Sequence, residues 1–579
     1  MTHGKGRTFP QILNALFLLI FFLSAFLAFT GPITDGDFFW HLKTGEWIWQ
    51  NRALPEKDPF TWTSVQGDRN GIPPARASFI LKQYWLAQLL FYGVWNFFGA
   101  AGIVLMRASL CTILLILVFL MTKRKGGLSL AFFFTFLLAV LLTSFANERP
   151  QIFSFLFTAI VLGLLEKTGN SQSRAGAKVE AREGHILTHK RTLLFLPFLM
   201  LFWANLHGGY IVGVVILVIC GAGETIASFR MKTKIPFPFL FLCVLSAGIT
   251  LLNPNTYHIG EVLLGLRSSH TGGIQEYLSP VTAALKLHEY YTPYFVFLAV
   301  TAVVLVLRFR KIPCSHMLII LFLGGLSLAS LRYMPFFLMT SPLLAGHIRW
   351  RDSSADRAVI ALGLFVWIIA GDRGSVLQMR VGEHFPEKAA EFIKDNRPGG
   401  RIFNLYQWGG YLLYSLPEYE IFIDGRVLSE SRNLLYEKAL WENGWRTIFD
   451  RYAINVVVMP GMSPVSGEIF PLAVNLMMDG NWFLVYRDDW SLVFIRTTDR
   501  NQVLARRYAM RKELIYEQIL SEATTLIRRH PGNPGFWRAK ADALLYRGDL
   551  AGALQSYRMV LKLSPGDERA ESVLKRFEQ

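Results

Sequence analysis

Two carboxylates, Asp35 and Asp37, stand two residues apart just past an apolar run, Ile12 to Phe29. Phe38, Phe39 and Trp40 lead from them to His41 and Lys43. The run is long enough to cross a bilayer, so the pair stands where a membrane helix comes out into water. A carboxylate there can take a proton from an attacking hydroxyl, help hold a hard cation, or simply cap the next helix. Ionisable groups near hydrocarbon are costly and tend to face a cavity or each other. Other scarce polar groups interrupt apolar sequence in the same way: Asn147-Glu148-Arg149, Asn205-Leu206-His207-Gly208-Gly209 and Leu331-Arg332-Tyr333. A longer connection, 253–291, carries His258, Glu261, Arg267, His270 and Glu276. One polar cavity at a single membrane depth would collect all of them. Taken singly, each reads as a snorkelling or turn residue. That reading weighs more for Arg267 and His258 than for Glu148, His207 and Arg332, which abut apolar sequence.

The elements that position these groups follow from composition. Of 579 residues, 52% are hydrophobic and 17% charged, against about a quarter charged in soluble domains. Charge is sparse up to about residue 375 and dense after it, so a polytopic membrane domain precedes a soluble part. Apolar runs fall near 11–30, 99–121, 127–145, 149–165, 193–206, 209–228, 236–252, 292–307, 313–330, 333–347 and 358–372, about eleven spans by the twenty-residue criterion. Every second connection is basic, with Lys123-Arg124-Lys125, the loop around Lys178 and Arg182, Arg230 with Lys232, Arg308 with Arg310, and Arg349 with Arg351. The positive-inside rule then puts the N-terminus in the cytoplasm and the loop 31–98, the connection 253–291 and the C-terminal part outside. The first run reads as an uncleaved span because no small-residue cleavage site precedes the Asp pair. A net charge of +17 does not indicate nucleic acid, because the basic residues form no continuous face. Cys111, Cys220, Cys243 and Cys314 lack metal-ligand spacing and read as small buried hydrophobes.

The loop 31–98 reads as interfacial helices, Asp37 to Gln50 and Tyr84 to Tyr92, rich in Trp and Phe. Beyond 375, a helix at 386–396 and strands at 401–404, 421–424, 452–459, 482–486 and 492–495 alternate into a small α/β domain. Gly409-Gly410-Tyr411 and Asp424-Gly425-Arg426 read as turns in it. In the tail, Trp537, Ala541, Leu544, Gly548, Ala553, Tyr557 and Pro565 fit a tetratricopeptide repeat (TPR). The division is a membrane domain 1–375, an extracytoplasmic α/β domain 376–498 and TPR-like helices 499–579.

The first span, the acidic motif outside it and the two long outer loops resemble the GT-C class of integral membrane glycosyltransferases, nearest to a bacterial group. The resembling pieces are Asp37, Trp40-His41-Leu42, Thr44-Gly45, Asp58-Pro59-Phe60, Trp85-Leu86, Arg149-Pro150-Gln151, Asn205 to Gly209, Asn253-Pro254, Glu276-Tyr277, Arg332, Gly409-Gly410-Tyr411 and Asp424-Gly425-Arg426. The resemblance implies transfer of a sugar from a polyprenyl-phosphate donor to a protein, glycan or lipid acceptor at the outer face of the cytoplasmic membrane, with inversion. It points to Asp37 as the base, with Asp35 second. Arg332, Arg149 and Lys43 become candidates for the donor phosphate. His41, Glu148, His207, His270 and Glu276 become candidates for substrate binding. A divalent metal, Mg or Mn, is left open, with Asp35 and Asp37 its candidate ligands. The repeats imply a protein partner. Two other readings stand beside this one: a flippase of lipid-linked sugars, and a non-catalytic scaffold acting through the tail.

Overall fold

The computed structural model describes residues 9–61, 79–173, 193–260, 275–286, 290–348, 356–370, 376–426 and 430–578. The chain divides into two compact units. One comprises Met1–Asp35, Lys82–Leu285 and Glu289–Val381; the other comprises Gly36–Leu81, Lys286–His288 and Gly382–Gln579.

The first unit is a bundle of apolar helices. Gln11–Ala28, Trp85–Leu142, Tyr210–Arg230 and Thr292–Lys311 are each long and apolar enough to cross a membrane. Gln151–Leu165, Phe195–Leu206, Phe237–Leu251, Cys314–Ala329 and Arg357–Ile368 are shorter apolar helices. The runs expected at 99–121 and 127–145 lie in the long stretch Trp85–Leu142, which leaves helical geometry at Gly99 (φ 58°) and Gly127 (φ 84°). The run 333–347 is not a continuous helix. It forms Met334–Leu338 and Ser341–Ala345, with Pro335 and Pro342 at their first turns. A proline lacks the amide that would carry a helix through, so each restarts one instead.

Aromatic contacts fill the bundle: Phe21 on Phe132 and Trp367, Phe155 on Phe336, and Phe297 between Phe134 and Phe337. Its outward positions are as apolar as its core. Phe195, Phe198, Phe237, Phe241, Val306, Leu307 and Phe365 are all more than half exposed. A band of that extent is stable against lipid and not against water. Cys111, Cys220 and Cys243 are buried as free thiols.

The second unit is built on a four-stranded sheet in the order β1-β2-β4-β3. Here β1 is Arg401–Asn404, β2 Ile454–Met459, β3 Trp482–Arg487 and β4 Leu492–Arg496. β1 and β2 are parallel, and the β3–β4 hairpin adds antiparallel to β2. The strand expected at 421–424 is reduced to a single bridge between Ile402 and Ile421. The buried side chain of Asn404 does what a ladder would have done. Its amide donates to the carbonyls of Leu405 and Ile423, and its oxygen accepts from Phe422 and Ile423.

The helix Asp37–Asn51 also belongs to this unit. Phe38, Phe39, Trp40, His41 and Leu42 are buried. Phe39 packs edge-on against Phe385 and Tyr411. Gly410 lies in the first turn of the helix Gly409–Ser415 and is not a loop-turn residue. A Cβ on it would strike the Gly36 carbonyl oxygen and come within 3.3 Å of the Trp40 nitrogen. The glycine therefore lets two helices meet backbone to backbone.

After a short helix, Gln502–Tyr508, the tail continues as the helices Ile515–Arg529, Pro534–Tyr546, Leu550–Leu563 and Glu568–Glu578. Ala541, Leu544, Ala553, Tyr557, Val560, Ala570 and Leu574 form its core, with Trp537 packed against it. These include most of the positions singled out by the repeat spacing. Asn533 and Asp549 cap two of the helices, and Gln518 ties Ile515–Arg529 to the sheet by accepting from the Gly461 amide at 2.8 Å.

Candidate functional site

In the membrane unit, the dipeptide Glu148-Arg149 organises the polar groups. It sits in the connection between Trp85–Leu142 and Gln151–Ser173. Arg149 grips Asp35 with two nitrogens: Nε donates to Oδ2, and Nη2 donates to Oδ1 at 3.1 Å. Its Nη1 donates to Glu276. Glu148 faces the other way and accepts from Arg107. Arg107 also donates to the carbonyls of Phe29 at 3.0 Å, Pro32 at 3.4 Å and Gly31. The strand-like segment leading to Asp35 is thus held from both sides. Ile33 further bridges to Val381, and the Leu377 amide donates to Thr30 at 2.9 Å. Burial lifts the Glu148 carboxyl to about 7, against the pull of Arg107.

Two further segments are stitched to this core. Ser330 Oγ donates to the Glu276 carbonyl at 2.7 Å, and the Leu331 amide to the Leu278 carbonyl at 2.9 Å. Gln151 donates to the Arg332 carbonyl at 3.3 Å. The Arg332 guanidinium lies 5.2 Å over the ring of Tyr277 and donates to its hydroxyl at 3.1 Å. Among the described residues, no carboxylate pairs with Arg332 in a salt bridge; Tyr277 is its hydrogen-bond partner, and the charge of Glu276 acts on it from farther away.

His207 is reached through a relay. Trp203 Nε1 donates to Ser154 Oγ at 2.7 Å, and that hydroxyl is 2.7 Å from His207 Nδ1. The Gly209 amide also donates to Nδ1, at 3.0 Å. An amide can only donate, so Nδ1 is an acceptor and Nε2 carries the proton. Burial, with Arg332 adding to it, lowers this imidazole to about 3. His207 is therefore a neutral ring that presents one N–H.

Asp37, His41 and Lys43 belong to the second unit. Asp37 is the first residue of the helix Asp37–Asn51, half-buried, with its carboxylate against the backbone of Gly425. His41 is buried, with its ring tilted against that of Trp40 and centroids 3.5 Å apart. Lys43 donates to Glu46 at 2.8 Å along its own helix. His270 lies outside the described residues, as do Glu261 and Arg267.

Among the described residues, no group of three or more His, Cys, Asp or Glu side chains is placed to hold a metal ion. Asp35, one of the two candidate ligands, has both oxygens on Arg149. As placed, it does not fit a metal.

The sequence candidates Asp35, Glu148, Arg149, His207, Glu276 and Arg332 thus fall into connected or adjoining networks of one unit. Arg107 was missed, although a lone arginine inside the apolar run 99–121 is a signal by itself. Asp58 and Arg426 lie in separate loop motifs of the sequence, and nothing local marks them as a pair. Their 368-residue separation hides the contact from sequence.

No family model matches the sequence. No curated protein matches it. Among solved structures, the ArnT of Cupriavidus metallidurans in the apo state aligns over 83% of this chain and 97% of its own, at 11% identity and a TM-score of 0.48. An oligosaccharyltransferase of Archaeoglobus fulgidus, solved with a tethered acceptor peptide containing the NVT sequon, aligns over 83% of this chain and 74% of its own, at 12% identity and a TM-score of 0.50. At that identity the likeness to the oligosaccharyltransferase is one of fold, and it is the kind of fold that the GT-C resemblance led one to expect.

Proposed function

We propose that the protein is a membrane glycosyltransferase that takes its sugar from a polyprenyl-phosphate donor and passes it to an acceptor at the outer face of the cytoplasmic membrane. The carrying observation is the fold likeness to an oligosaccharyltransferase. The set of ionisable groups around Asp35, Arg149, Glu276 and Arg332 adds to it. Fold alone does not fix function, but such groups in an apolar bundle mark a working site.

In this reading the acceptor hydroxyl attacks the anomeric carbon as the bond to the lipid phosphate breaks, which inverts that centre. Asp37 takes the hydroxyl proton. Asp35 is the weaker candidate, because Arg149 occupies both its oxygens. Arg332, unpaired with a carboxylate among the described residues, and the Nε2–H of His207 stabilise the departing phosphate. Arg149 fixes Asp35 and Glu276 in place and reaches phosphate only by exchanging them. Glu276, Glu148, His41 and His270 serve the sugar or the acceptor, and Lys43 the donor. The tail offers a platform for the acceptor or a protein partner.

The test uses the full chain in nanodiscs with a panel of polyprenyl-phosphate sugars and follows release of polyprenyl phosphate. A general base contributes about 10²–10⁴-fold, so Asp37→Asn is expected to lose at least about 100-fold in turnover at unchanged folding. Equal turnover in both proteins would refute Asp37 as base. Neither binding nor turnover of any donor by the wild type would refute the transferase itself.

A further inference from the structure

In the second unit, Arg426 is buried between two carboxylates. Its Nη1 and Nη2 donate to Asp58 at 2.8 and 3.3 Å, and its Nε and Nη2 donate to Asp424 at 2.9 and 2.5 Å. The three residues are only 4–6% exposed. Phe60 covers the guanidinium at 5.3 Å. Asp424 also accepts from the Arg426 amide at 2.9 Å, which closes the turn on itself. Asp58 further accepts from Phe60 and Thr61. The turn Asp424-Gly425-Arg426 is therefore fixed at both ends, and Tyr406 donates to its middle carbonyl at 3.3 Å.

A buried ion cluster is an expensive way to hold a fold, since packed apolar residues do as well or better. What this cluster delivers is position. A Cβ built on Gly425 falls on Asp37 Oδ1 and lies 2.6 Å from its Cγ and 3.0 Å from Oδ2. Gly425 has no positive φ, so its own backbone would accept an alanine. What excludes a side chain there is the Asp37 carboxylate.

We propose that Arg426, braced by Asp58 and Asp424, is a positioning residue that sets the Gly425 backbone as the wall fixing the Asp37 carboxylate. The function follows from the reading of Asp37 as the base. The turn decides which rotamer and which oxygen Asp37 presents. Arg426→Lys keeps the charge but loses the planar fork that spans two carboxylates. Gly425→Ala leaves the ion cluster whole and displaces the carboxylate directly.

The experiment uses the full chain in nanodiscs and reads Asp37 without any substrate. Carbodiimide-driven carboxyl labelling is followed between pH 4 and 8 by peptide mass spectrometry, with Asp35 as internal control and thermal unfolding as fold control. Gly425→Ala and Arg426→Lys are each expected to change the Asp37 labelling rate at least threefold and to move its pH midpoint, with Asp35 within twofold of wild type. An unchanged Asp37 profile in a folded Gly425→Ala protein overturns the proposal. Polyprenyl-phosphate release then tests the reading beneath it. A kcat loss at near-constant KM in both variants supports a positioned base. Full turnover in Asp37→Asn overturns the catalytic role, whatever the labelling shows.

Discussion

His207 gives a pH dependence that follows from geometry. Its Nδ1 is filled by the Ser154 hydroxyl and the Gly209 amide, and burial lowers the ring from 6.5 to about 3. The folded state thus prefers the neutral ring, while the unfolded chain protonates near 6.5. Between those values the unfolded state binds the extra proton. The stability tied to the neutral ring is complete above 6.5 and is lost as pH falls toward 3. With these two values, lowering pH from 7.5 to 5 costs about 2 kcal/mol.

The assay is reversible unfolding in mixed micelles with a denaturing detergent, at both pH values, for wild type and His207→Asn. Asparagine offers an acceptor in place of Nδ1 and does not titrate. Glu148, raised to about 7, contributes the opposite slope, since its increment is present at low pH and fades as pH rises through its folded value. It is common to both proteins and drops out of the difference. The wild type is expected to lose about 2 kcal/mol more than the variant on acidification. Parallel curves, within about 0.5 kcal/mol, would refute the neutral, tautomer-locked ring.

Arg107→Met should be among the most damaging changes in the membrane unit. It strips a partner from the buried Glu148 and from three carbonyls, a loss of about 3–5 kcal/mol, checked by the same unfolding titration; a change under about 1 kcal/mol would show that the segment before Asp35 is held by other contacts. Tyr557→Phe in the tail removes a buried hydroxyl that donates to Asp542. Arg569 keeps a second contact to Asp542 at 2.9 Å, so the expected cost is only about 1–2 kcal/mol, read as a lower unfolding midpoint with membrane-unit behaviour unchanged.

Much of this was legible in the sequence because it is local. Apolar length marked the membrane helices, and the boundaries of the runs 99–121 and 127–145 fall where the long stretch leaves helical geometry at Gly99 and Gly127. β1, β2 and the β3–β4 hairpin fall where alternation and turn residues put them, within two residues. The repeat spacing of the tail marks Ala541, Leu544, Ala553 and Tyr557, which the fold buries. Scarce ionisable residues between apolar runs were recognisable one at a time, since a charge beside hydrocarbon needs a reason wherever it falls.

Only the tertiary structure decided which of them pair. Arg149 with Asp35 and Glu276, Arg107 with Glu148, and Arg426 with Asp58 join groups 41 to 368 residues apart, and no periodicity carries that information. Burial was decided at the same level. The aromatic residues at the start of Asp37–Asn51 pack on Gly409–Ser415 through a glycine contact invisible in either segment alone. Likewise Ile421–Asp424 has strand-like residues, but a single asparagine side chain takes up the hydrogen bonds that a neighbouring strand would have supplied. Sequence sets what each segment can bury. Which surface buries it, and so which charges meet, is settled only when distant segments compete for the same partners.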